Sequence, residues 1–184
     1  MNKKEVISKE FINLFNKYSF EEIDIVKLDK ALDYKTKEVF EDKYDILDYI
    51  LRDKLSQKIE LINNLKDKNM NLQNKLILFF DYHFEFLKTY PKISELLIKT
   101  SMIEDDKKLE IINWYMKKFQ LTFTELIKNE IKKNKVRDVD PSIIASAILH
   151  ATHGVTVRIK YDDNYDYGKA KKELVNFIYL GLNN

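Results

Sequence analysis

Apolar residues recur at helical spacing along nearly all of the chain, and the interruptions fall where polar residues cluster. Val6, Ile7, Phe11, Leu14 and Phe15 mark one stripe of an amphipathic helix predicted over about residues 3–17. Ile25, Leu28 and Leu32 predict a second helix over Ile23 to Leu32, and a polar break follows at Asp33. A third segment, from about Lys35 to Phe40, is barely two turns long and needs tertiary contacts to hold it. Asp42 is a good N-cap, with Ile46, Leu47, Ile50, Leu51 and Leu55 behind it, so a long helix is predicted to about Asn64. The polar stretch Asn63–Asn71 reads as a loop.

From Leu72 to Tyr90 the chain turns aromatic, with Phe79, Phe80, Tyr82, Phe84, Phe86 and Tyr90 around His83. Apolar residues cover most of this helix's circumference, which predicts burial among several others. Pro91 opens a short apolar helix, and Glu104-Asp105-Asp106 places acids at the positive end of the next one, predicted to about Lys133. Leu109, Ile112, Tyr115, Met116, Phe119, Phe123, Leu126 and Ile127 line its apolar side, and lysines gather at its end. Asp140-Pro141 starts a helix to about Lys160 that is rich in small residues, and Lys169 to Leu182 forms the last. The fold class that follows is all-α.

Composition agrees. Three glycines and two prolines in 184 residues leave few turns, and 45% hydrophobic with 34% charged residues suits long helices around a sizeable core. The absence of cysteine excludes disulfide scaffolds, thiol catalysis and thiolate metal sites. No apolar run reaches the roughly 18 residues of a membrane span, and Met1 to Glu10 is too polar for a signal peptide, so no membrane partner and a cytoplasmic location are expected. Net charge is +2, but residues 1–50 carry nine lysines against twelve acidic residues, a net −3. Nucleotide-binding loops, nucleophile elbows and paired-carboxylate sites are not recognisable, and the carboxylates read as solvated, so an enzyme is not expected. His150 and His153 lie three apart on one helix; without supporting ligands they read as cavity or interface residues, and neither metal nor cofactor is expected.

The stretch Ser19–Leu51 has the layout of a helix-turn-helix reader, two short helices braced by a helix on either side. Tyr18-Ser19-Phe20 at the end of the first helix, and Val39-Phe40-Glu41-Asp42-Lys43-Tyr44-Asp45-Ile46-Leu47 after the third, resemble the opening of tetracycline-repressor (TetR) family transcriptional regulators. The aromatic helix, Tyr90-Pro91 and the short apolar helix resemble the middle of their regulatory domain. Leu32-Asp33-Tyr34-Lys35-Thr36-Lys37 replaces the family's small-residue and glycine turn, and the Phe20–Phe40 interval is about three residues shorter than usual, a degenerate reading head.

The resemblance implies a DNA-binding domain over residues 1–46 and a regulatory, dimerising domain over 47–184. It implies a homodimer on a palindromic double-stranded operator, released or recruited by a small effector. Tyr34, Lys35, Thr36 and Lys37 become the candidate recognition element and Lys43 a phosphate contact; their plainer reading is a solvated turn. Phe79, Tyr82, His83, Phe86, Trp114, Tyr115, Phe119 and His150 are the candidate pocket for an apolar or aromatic ligand, or else an ordinary core. Ala145, Leu149, Thr152, Thr156, Leu174, Phe177 and Ile178 are the candidate dimer face, unless one chain covers them itself. The competing function is a helical ligand- or partner-binding protein whose head no longer reads DNA.

Overall fold

A computed structural model of the chain describes residues 2–32, 35–91, 106–133, 135–162 and 164–183. Among these, seven α-helices and no strand are found: α1 (Lys3–Phe15), α2 (Ile25–Leu32), α3 (Lys43–Asp67), α4 (Leu72–Thr89), α5 (Asp106–Lys132), α6 (Pro141–Tyr161) and α7 (Tyr167–Leu182). The break at Asp33, the candidate Tyr34, the short helix predicted beyond Pro91, and Glu104 and Asp105 lie outside the described residues. None of the described helices is long and apolar enough to cross a membrane.

Caps explain the boundaries. Asn2 and Glu5 form a reciprocal capping box on α1, and the Asp42 carboxylate accepts the Tyr44 and Asp45 N–H groups at 2.8 and 3.0 Å to start α3. Asp140 does the same for α6 with Ser142 and Ile143, ahead of Pro141. Two boundaries differ from prediction for the same reason. The Asp24 carboxylate accepts the Lys27 N–H at 2.8 Å and so starts α2 at Ile25 rather than Ile23, while Asp166, accepting from Lys169 N–H at 2.9 Å, starts α7 at Tyr167.

The larger difference is the third segment. Among the described residues between α2 and the Asp42 cap, the chain makes a single 3₁₀ turn, Thr36–Glu38. Asp29 of α2 accepts the Thr36 N–H at 2.6 Å, and Thr36 is fully buried. That bond draws the segment onto α2 before a longer helix can form.

The small N-terminal unit closes on an aromatic cluster. Phe11, Phe15 and Phe20 lie 6.3–6.4 Å apart centre to centre, and Tyr44 at the start of α3 stacks edge-on against Phe20 at 5.3 Å. In the larger bundle, Phe79 of α4 meets Phe119 and Phe123 of α5 at 5.7 and 4.9 Å. Helix α7 is fastened to α4 by the Lys171–Asp81 ion pair at 2.6 Å and by the Phe84–Tyr167 contact. Arg137 N–H donates to the Leu182 carbonyl at 2.9 Å and ties the loop before α6 to the end of α7.

One ion pair lies wholly inside. Lys75 of α4 and Glu130 of α5 meet at 2.8 Å with side chains 1% and 0% exposed, and Lys75 also donates to the Lys66 carbonyl at 3.2 Å. The sequence pattern placed this carboxylate on a solvated face. It is buried because the lysine stem reaches across the α4–α5 seam to neutralise it.

Candidate functional site

Four helices leave a cavity of about 280 Å³ between them. Helix α3 supplies Leu55 and Lys58, α4 supplies His83, Phe86 and Leu87, and α5 supplies Ile112, Tyr115 and Met116. Helix α6 completes the wall with Leu149, His150, Thr152, His153 and Thr156. Most of this surface is apolar, with a few convergent polar groups, the usual make-up of a small-molecule site.

The polar groups form a chain. Lys58 Nζ lies 2.6 Å from His83 Nδ1, His83 Nε2 lies 3.0 Å from Thr156 Oγ1, and Thr156 Oγ1 donates to the Thr152 carbonyl at 2.8 Å. Because the threonine hydroxyl spends its proton on that carbonyl, its oxygen accepts from His83 Nε2–H. His83 Nδ1 is then the acceptor for the Lys58 amine. Burial pushes the His83 pKa well below its ordinary value, with Lys58 adding repulsion, so the ring is neutral at pH 7.

Burial also lowers the Lys58 pKa from 10.5 to about 7. The rings of Phe79, Tyr115 and Phe119 lie 5.5–5.8 Å from its nitrogen and offer it their faces. Among the described residues no carboxylate pairs with it, and none lines the cavity.

The candidate pocket residues divide between the cavity wall and its surroundings. His83, Phe86, Tyr115 and His150 line the cavity. Phe79 and Phe119 stand behind it in the core, Trp114 stacks under the Arg52 guanidinium at 5.0 Å, and Tyr82 lies near Lys54, Tyr90 and Asp53. Lys58 itself was invisible to periodicity, since a lysine in an amphipathic helix ordinarily marks the solvent side.

At the N-terminal unit, Lys35 and Lys37 are exposed. Thr36 is buried, which removes it from the candidate DNA contacts. Lys43 donates to the carbonyls of Phe20 and Glu21 at 2.9 and 3.2 Å and lies 4.6 Å over the Phe20 ring. Its charge holds α3 to the chain before α2.

Compared with solved structures, the chain superimposes at a TM-score of 0.84 on the fatty acid degradation regulator FadR of Bacillus halodurans, at 17% identity over 98% of this chain and 97% of that one. A protein described as a TetR-family transcriptional regulator from Syntrophomonas wolfei matches at 0.79, with 18% identity over 95% and 92% of the two chains. The chain has the TetR-type fold. The Bacillus subtilis transcriptional regulator FadR, solved in complex with stearoyl-CoA, is similar at 0.82, with 17% identity over 97% and 99%. No protein-family model and no curated protein matches the sequence.

Within this TetR-type fold the candidate dimer residues divide by helix face. Ala145, Leu149, Thr152 and Ile178 are buried within this chain, and Leu149, Thr152 and Thr156 line the cavity. Of the small residues of α6, Ala145 is buried, while Ser142, Ala147 and Gly154 are exposed. Leu174 is half-buried, while Phe177 stays 75% exposed. Leu180 on α7 and Ile143 on α6 are also exposed, at 70% and 66%. Gly154 and Gly181 have open space where a Cβ would project. His150 and His153 belong to the cavity, where His150 Nδ1 bonds the Ser146 carbonyl at 2.8 Å.

Proposed function

We propose that the chain is a ligand-responsive DNA-binding transcriptional regulator of TetR type, a repressor rather than an enzyme, acting as a homodimer. Supporting this reading above all is the position of α3. One helix carries Lys43, bonded to the N-terminal unit, and Lys58, in the cavity, separated by fifteen residues or roughly 22 Å of helix. A ligand that moves Lys58 along or across the bundle moves the attachment of the head with it. The two domains are residues 1–46 and 47–184, with α3 running through the boundary.

The dimer of this reading pairs the Ile143, Phe177 and Leu180 faces of two copies into a four-helix bundle and carries two heads to successive turns of a duplex. Lys35 and Lys37 are the DNA contacts, on a head whose net charge is otherwise unfavourable. A genomic-fragment selection at low salt should recover a palindromic site, with affinity falling steeply as salt rises. Lys35→Glu/Lys37→Glu should lower binding to that site by about 100-fold, at roughly 1–2 kcal/mol for each reversed contact. Retention of no fragment at low salt would overturn the reading.

A second reading has its own observation. Among the described residues one 3₁₀ turn stands where a reading helix is expected, Thr36 is buried and Lys43 is occupied, as in a protein that keeps the cavity and dimer face after its head has ceased to read DNA. The same selection separates the two, because this protein would bind a cavity ligand and no DNA.

A further inference from the structure

Lys58 is 4% exposed, lines a cavity without a carboxylate, and its amine has among the described residues one hydrogen-bonding partner, the neutral ring of His83. The direction of the Lys58–His83–Thr156–Thr152 chain fixes that bond as one donated by the amine. Among the described residues its remaining hydrogens have no acceptor of their own. A buried ammonium left this way is costly, and an arriving anion relieves the cost. Every titratable group around it is neutral or basic: His83 on α4, Tyr115 on α5, His150 and His153 on α6. Burial raises the Tyr115 pKa, so its phenol stays protonated as a potential donor.

We propose that the cavity binds an amphipathic carboxylic acid, its carboxylate paired with the Lys58 ammonium and its hydrocarbon body packed against Phe86, Leu87, Ile112 and Met116. The inference rests on reading the cavity as the effector site and goes further by fixing the charge of the ligand. A neutral apolar ligand would leave the amine unpaired; a cationic one would meet it with like charge. The proton balance is simple. With the Lys58 pKa near 7 in the free protein, the amine is mostly uncharged at pH 8. Pairing with a carboxylate raises that pKa, so binding there takes up one proton from solution, and affinity weakens as pH rises above 7.

The test compares decanoate, decan-1-ol and decylamine, each below its micelle-forming concentration, by titration calorimetry on the full chain and on Lys58→Met. Decanoate should bind one site per chain about 10- to 100-fold more tightly than decanol, the span of a charge-assisted hydrogen bond. Decylamine should be weakest. Repeating the titration at pH 8 in two buffers of different ionisation enthalpy should show uptake of about one proton. Lys58→Met should lose the preference for decanoate, lose the proton uptake, and keep decanol affinity, which also shows that the variant is folded.

Decanol binding as tightly as decanoate would overturn the inference, as would a decanoate preference that survives Lys58→Met, or binding of none of the three. Each of these results leaves the regulator reading standing, since the genomic selection decides that separately. A protein that binds decanoate as described but no DNA would sustain the inference and select the second reading.

Discussion

Glu130→Leu should be the most damaging single change in the bundle, costing about 3–5 kcal/mol, or roughly 6–20 °C in melting temperature for a chain of this size. The substitution removes the partner of a lysine that is 1% exposed and, among the described residues, leaves the ammonium with one backbone carbonyl at 3.2 Å. Lys75→Met should cost a similar amount by stranding the carboxylate, whose second oxygen has no partner among the described residues. Combining the two should restore most of the loss, because the charges are dear to bury singly and a methionine–leucine contact fits the same seam. A single-variant loss below about 1 kcal/mol would mean that the pair behaves like an exposed one.

Lys58→Met should act in the opposite direction and stabilise the protein. Folding lowers this amine's pKa from 10.5 to about 7, so between those values the unfolded chain binds the proton that the folded one gives up. Stability therefore rises with pH across that window, and the burial penalty is fully present below it. At about 1.36 kcal/mol per unit the penalty near pH 7 approaches 4 kcal/mol, offset by about 1 kcal/mol for the lost bond to His83. The variant should thus be more stable by about 3 kcal/mol at pH 7, with its advantage shrinking towards zero near pH 10. Denaturant melts of both proteins from pH 6 to pH 10 check this; parallel curves would show that Lys58 titrates as it does in water. That a stabilising replacement was available yet lysine stands there fits a role in binding rather than in folding.

Helix order was legible in the sequence because caps and apolar stripes agree with each other. Asp42 and Asp140-Pro141 start helices where predicted, and the Leu72–Thr89 aromatic helix is as buried as its circumference implied. Fine structure in the head was not, because Asp29 to Thr36 is a tertiary bond seven residues long and leaves no periodic trace. The partner of the α6 faces was not legible for a related reason. Small residues such as Ala145 and Thr152 suit any close helix crossing, and sequence alone does not say whether α5 or a second copy supplies it. The cavity's chemistry was hidden most deeply: Lys58, Lys75 and Glu130 are spelled like surface residues and become interior ones only when the bundle closes over them.

The account depends on two copies presenting two heads, so oligomeric state tests it most directly. Sedimentation equilibrium at micromolar concentration should find the wild-type chain as a dimer. Phe177→Glu/Leu180→Glu, which charges the exposed α7 face, should give a single folded subunit with an unchanged helical circular dichroism spectrum. A wild-type chain that sediments as a lone subunit would contradict the account, since one head cannot span a two-half-site operator.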